Sequence, residues 1–226
     1  MKCGHLQQSF VEYGKSVLQA PLRYIPCSCD CRLLVVAGIH GEEPETTFLL
    51  SRCLRNDNSH FNHIAIVLCA NPDGVALGVR GNAHGVDLNR NFDTANWSSE
   101  LVHCRSVLES QRDMVLSPGT SPASEPETKA LVELIQKLGP KSILSIHAPI
   151  GCIDAPVETN LTRNLSKAFN LPYVADIGYK TPGSLGTWCS ERNMECVTLE
   201  LPRMALELLY QRYEKSFTSF LQQQDT

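Results

Sequence analysis

Four short apolar runs constrain this chain most: RLLVVAG at 32–38, HIAIVLC at 63–69, SILSIH at 142–147 and MECVTLE at 194–200. Each is of strand length and apolar on neighbouring residues, the mark of a strand covered on both faces. The segments between them carry helical spacing. EPETTFLLSRCLR at 43–55 places Pro44 near a first turn, where the missing amide hydrogen does no harm. SEPETKALVELIQKL at 124–138 predicts a helix opened by a Ser124–Glu127 capping box and stopped at Gly139-Pro140. Residues 158–169 and the last twenty residues also read as helical, and Asn71-Pro72-Asp73-Gly74 reads as a turn closing the second strand.

Strands alternating with helices predict an α/β fold: a mixed, mostly parallel β-sheet with helices on both faces. The 226 residues suffice for one catalytic domain over 1–226, and no repeat or low-complexity block divides them. In such sheets, ligands collect at the carboxyl ends of the strands.

Composition narrows the partners. The formal charge of -4 and pI near 6.0 give no reason to expect nucleic acid. No run approaches the roughly 18 apolar residues of a membrane span. The opening MKCGHLQQSFVEYGKS lacks an apolar core and a cleavage site, so the expected location is the cytoplasm. There the ten cysteines are expected to stay reduced and to serve mostly as small buried apolar residues. Cys27, Cys29 and Cys31 would fall on one side of an extended strand. Their spacing differs from a zinc knuckle, so they read as a surface or edge segment.

Chemistry-bearing residues cluster at the strand ends. His40 and Glu43, in GIHGEEP, follow the first run, and an imidazole and a carboxylate at this spacing can converge on one cation. Taken alone, they also suit a hydrogen-bonded core histidine and a favourable helix-terminal charge. His147 ends the third run, on the same rim. Two neighbouring ligands plus a remote third leave an open position for water, as in catalytic zinc sites. Asn89 and Arg90, in GVDLNRNF, offer an amide and a guanidinium fork for a carboxylate. Arg80 in GVRGN is suited to an oxyanion. Glu200 ends the fourth run, where a carboxylate can deprotonate a metal-activated water.

These pieces, in this order, resemble the zinc carboxypeptidase family over roughly residues 12 to 203, a span set by the motifs themselves. The resemblance implies that His40, Glu43 and His147 ligate one zinc ion per chain and that Glu200 is the general base. It also implies that Arg80 stabilises the oxyanion, that Asn89 and Arg90 grip the substrate carboxylate, and that Tyr179 is the mobile tyrosine ahead of the catalytic Glu. Longer stretches (YGKSVLQAPL, NPDGVALGVRGNAHGVDLNRNF, SEPET, GYKTPGSLGTWCS, CVTLELP) are similar to a cytoplasmic, cell-wall-recycling branch of the family. That branch implies a small peptide substrate, the murein tripeptide L-Ala-γ-D-Glu-meso-Dap, cut at the γ-D-glutamyl–meso-diaminopimelate bond.

Glu42 departs from the Arg of the digestive members, which implies altered charge along the substrate groove. The residues meeting the distal end of diaminopimelate are not assigned; Asp154 and Thr187 are considered. Two rival readings are an N-acyl amino acid deacylase of the aspartoacylase or succinylglutamate desuccinylase type, and a non-catalytic binding module. Tyr179 and the full GVDLNRNF favour the peptidase branch over the first, and competent residues at every central position weigh against the second. The oligomeric state is left open, a homodimer included.

Overall fold

The computed structural model describes residues 9–56, 61–106 and 112–225. Its strands are β1 Val11–Lys15, β2 Pro21–Tyr24, β3 Leu33–Val36, β4 Ile64–Val67, β5 Val102–Ser106, β6 Arg112–Leu116, β7 Ser142–His147, β8 Ile150–Asp154, β9 Tyr173–Val174 and β10 Glu195–Pro202. Its helices are α1 Pro44–Asn56, α2 Pro72–Leu77, α3 Pro126–Leu138, α4 Asn160–Phe169, α5 Leu185–Ser190 and α6 Leu206–Gln224. A 3-10 turn spans Leu88–Arg90.

The central sheet runs β4-β3-β7-β10-β8-β9. Its first four strands are mutually parallel, and β8 joins β10 antiparallel. This is the mixed, mostly parallel sheet that the apolar runs predict. Successive side chains alternate between faces, so each strand divides its residues between two cores. Leu33 and Val35 of β3, Leu144 and Ile146 of β7, and Val197, Leu199 and Leu201 of β10 pack with α1, α4 and α6. Leu34, Val36 and Ile143 pack on the other face with Leu131, Leu134 and Ile135 of α3 and with Leu185 and Trp188 of α5.

That second face changes character along β7, β10 and β8. In the positions between core residues stand Ser145 and His147, Thr198 and Glu200, and Cys152 and Asp154. The register sets them side by side: Glu200 is opposite both His147 and Cys152, and Thr198 is opposite both Ser145 and Asp154. The polar patch therefore sits at the carboxyl end of the parallel strands.

Three local expectations are corrected. Asn71-Pro72-Asp73-Gly74 is not a free turn but the start of α2, where the Asn71 side chain caps the Gly74 amide. At α3 the N-cap is Glu125, with no side-chain cap. Ser124 bonds the Glu125 carboxylate, and Glu127 is buried, accepting from the Val17 amide and from Asn82. Tertiary partners for Glu127 outcompete the local box. Cys27, Cys29 and Cys31 do not share one side of a strand: Cys29 is exposed and Cys31 buried, in an irregular segment ahead of β3.

Candidate active site

β3 delivers His40 through a tight exit. Gly38 has φ +66, and a Cβ there would press on Thr47 at 2.8 Å, so only glycine fits without strain. At Gly41 a Cβ would overlap the backbone carbonyl of Gly74. The two close approaches hold His40 over the end of the sheet and set Glu43 immediately before Pro44, the first residue of α1. His147 arrives as the last residue of β7.

The three side chains meet. His40 Nδ1 lies 2.7 Å from Glu43 Oε1, His147 Nδ1 lies 3.1 Å from Glu43 Oε2, and the two Nδ1 atoms are 3.1 Å apart. All three residues are buried, and one donor atom from each lies within 4.8 Å of the others. Zinc bonds of about 2.0–2.2 Å in tetrahedral array place neighbouring donors about 3.4 Å apart, so this set fits such an ion. The outward nitrogens are held as well. His40 Nε2 faces Asp87 Oδ1 at 3.2 Å, and His147 Nε2 faces the Ser145 hydroxyl at 3.0 Å. Such partners fix ring orientation and leave the inner nitrogen free to ligate.

Burial alone would raise the Glu43 carboxyl, but the facing His40 and His147 rings outweigh it and hold Glu43 well below the usual range. Asp87 is likewise pushed up by burial yet held far down by Arg80 and His40. Its carboxylate accepts from Arg80 Nε at 3.0 Å, from His40 and from the Asn89 amide. Asp87 was not singled out in the sequence. Its one visible cue is its place just ahead of Asn89 and Arg90, and its contact with His40 exists only in the fold.

Arg80 reaches the same centre, with Nη1 3.3 Å from Glu43 and 3.5 Å from Glu42. Glu42 is buried and is not among the residues lining the cleft, and it meets that cleft's charge through its contact with Arg80. Among the described residues, its second oxygen has no hydrogen-bond partner.

The triad opens into a cleft of about 690 Å³. Arg80, Asn89, Arg90, Tyr179 and Glu200 all line it with the triad. The Asn89 side chain accepts from the Leu185 amide, and Arg90 donates to the Asn89 carbonyl at 2.7 Å. The Asn89 side chain is thus tied to the start of α5, and the Arg90 guanidinium to the turn that Asp87 caps. Glu200 is buried, and burial, followed by the charge of Glu43, pushes its carboxyl up to about 8. Tyr179 is 54% exposed on the loop before α5. Burial at the cleft and the charge of Glu200 raise its hydroxyl.

Comparison with known proteins agrees with this geometry. The family described as zinc carboxypeptidase matches residues 10–192. The chain belongs to the zinc carboxypeptidase family. The match carries His40, Glu43 and His147 and stops shortly before Glu200. Murein peptide amidase A of Escherichia coli K12 is 43% identical over 204 residues, covering 89% of this chain and 84% of that protein. Murein peptide amidase A of Vibrio campbellii is 41% identical over 213 residues, covering 93% and 86%. The crystal structure of the murein-tripeptide amidase of E. coli O157 superposes with a TM-score of 0.91 at 40% identity, covering 96% of this chain and 93% of that one. As a zinc carboxypeptidase family member, the chain is a peptide-bond hydrolase, and its buried His–Glu–His set suits the family's metal.

Proposed function

We propose that this chain hydrolyses the amide between γ-D-glutamate and meso-diaminopimelate in the murein tripeptide L-Ala-γ-D-Glu-meso-Dap. It does so in the cytoplasm, as one catalytic domain over residues 1–226 with one zinc ion. The observation that carries this reading is the 43% identity to a murein peptide amidase, spread over 89% of the chain. The metal-competent triad and Glu200 lie on one cleft within that span.

In this reading His40, Glu43 and His147 hold the ion. When bound, zinc supplies a Lewis acid that polarises the scissile carbonyl and acidifies water. Glu200 takes a proton from the attacking water and passes it to the departing nitrogen, so the C–N bond breaks as a free amine leaves. The Ile150 amide, His40 and Arg80 oppose the burial and the Glu43 charge that raise Glu200, and so favour its basic form. Arg80 donates to the oxygen that becomes negative, from a position already fixed by Asp87. Arg90 and Asn89 hold the carboxylate beside the cut bond, and Tyr179 covers the substrate from its loop.

The test is release of free diaminopimelate from the tripeptide by zinc-loaded protein, with a hippuryl-amino acid alongside. Fast release from the first and little from the second is the expected result. Cleavage of neither, together with release of simple N-acyl groups from amino acids, would replace this reading with a deacylase.

A further inference from the structure

The cleft continues beyond Glu200 along β8 to Asp154. Asp154 lies opposite Thr198 as Cys152 lies opposite Glu200, so both β8 residues stand on the face that bears the general base. Ile153 between them is buried in the core of the other face, which fixes this orientation. Two residues along a strand span about 7 Å and adjacent strands lie about 4.8 Å apart, so the Asp154 Cα stands about 8 Å from that of Glu200.

Asp154 differs from the other acids of the site. Glu43 and Asp87 face histidines and Arg80, whereas among the described residues no hydrogen bond or ion pair reaches the Asp154 carboxylate. It is half-buried in the cleft wall, and its charged neighbour is a second cleft acid, Asp176. Burial, then Asp176, raises its carboxyl. The cleft's guanidinium groups are engaged elsewhere: Arg80 on Asp87, Arg90 on the Asn89 carbonyl and Arg105 on Asp113. A carboxylate withdrawn from water without a partner is unfavourable, and an arriving cation relieves it.

We propose that Asp154, seconded by Asp176, receives the ammonium group at the far end of the leaving amino acid's side chain and so selects diamino acids at that position. This rests on the amide-hydrolase reading above and names what that reading leaves open. The five bonds from the α-carbon of a diamino acid to its distal nitrogen span about 6 Å when extended, which suits the separation of Asp154 from Glu200. Asp154 is a specificity-determining residue here, since it touches the substrate far from the reacting atoms.

The test compares three tripeptides, L-Ala-γ-D-Glu followed by meso-diaminopimelate, L-lysine or norleucine, on zinc-loaded wild type and Asp154→Asn. Norleucine keeps the aliphatic stem and lacks the ammonium. The wild type is expected to prefer lysine over norleucine by about 10- to 100-fold in kcat/KM, the worth of a hydrogen bond to a charged group. In Asp154→Asn that ratio should collapse toward one, through loss on the two ammonium substrates with norleucine cleavage kept. An unchanged ratio, or an equal loss on all three, overturns the proposal.

Calorimetry with free meso-diaminopimelate, L-lysine and norleucine separates this from the function itself. If no tripeptide is cleaved, the substrate reading fails. Diamino acids bound by wild type and lost in the variant would still uphold the ammonium site. Equal binding by both proteins, or binding by neither, removes it.

Discussion

Asp87 Oδ1 lies 3.2 Å from Nε2 of His40, on the side of the ring away from the nitrogen that faces Glu43 and His147. The other Asp87 oxygen accepts from Arg80. One carboxylate thus orients both the proposed metal ligand His40 and the proposed oxyanion donor Arg80. Asp87→Asn keeps the shape but loses the charge. Zinc affinity should fall by about 10- to 100-fold, as for other outer-shell partners of metal-bound histidine. A chelator competition titration reads this directly. Unchanged affinity would mean that His40 is positioned by its backbone alone.

Glu200→Gln should separate chemistry from assembly. Glu200 is opposite His147 and Cys152 in the sheet, yet it is not one of the three mutually close donors proposed to hold the metal. Turnover should fall by about 100- to 10,000-fold, the range for losing a general acid–base. Zinc content should stay at one per chain. A variant that keeps wild-type turnover would remove Glu200 from the mechanism, and one that also loses zinc would give it a structural role instead.

Removing the metal should lower thermal stability as well as activity. The triad packs two imidazoles and a carboxylate into a buried space where their donor atoms lie about as near to one another as zinc ligands do. A ligand that binds the folded state alone stabilises it by about 2.7 kcal/mol at a hundredfold excess over its Kd. The melting temperature should therefore drop on dialysis against a chelator and return on adding zinc. Identical melting curves with and without zinc would show that the triad holds no ion.

Much of this site can be read from the chain, because its signals are local. His40 and Glu43 share one short motif, and His147 and Glu200 each end an apolar run. The parallel strands that bring them together follow from those same runs. What escapes sequence reading is whatever depends on lateral placement. Asp87 meets His40 across the fold, and Asp154 owes its facing to the antiparallel pairing of β8, a strand that no long apolar run announces. The expected capping box at Ser124 fails for the same reason: Glu127 has better partners far away in sequence, at Val17 and Asn82.

The exit from β3 can be tested with two glycines that differ in surroundings. A Cβ on Gly41 would overlap the Gly74 carbonyl, whereas one on Gly78 would meet none of the described residues within 4 Å. Gly78 nevertheless has φ +66, so alanine there costs only the left-handed strain of about 1–2 kcal/mol. Gly41→Ala must displace backbone, and overpacking of that kind costs about 1–3 kcal/mol or more. Because the displaced backbone lies beside His40, it should also weaken zinc binding, which Gly78→Ala should leave intact. Denaturant unfolding together with zinc titration of both variants distinguishes the two effects. Equal zinc affinity in all three proteins would show that the His40 turn adapts freely.

Arg90 gives the sharpest test of substrate orientation. Its side chain is buried against the Asn89 carbonyl, and both residues are fixed by the turn that Asp87 caps, so the guanidinium is positioned before any substrate arrives. Pre-positioning means that little order is lost on binding, and a carboxylate held this way gains the strength of a charge-assisted bond. Arg90→Ala should therefore raise KM for a substrate with a free carboxylate beside the cut bond by about 10- to 100-fold. On the same substrate with that carboxylate amidated, the wild type should already be poor and the variant should lose little more. Comparable losses on both substrates would mean that Arg90 supports the fold of the Asn89 turn rather than the carboxylate.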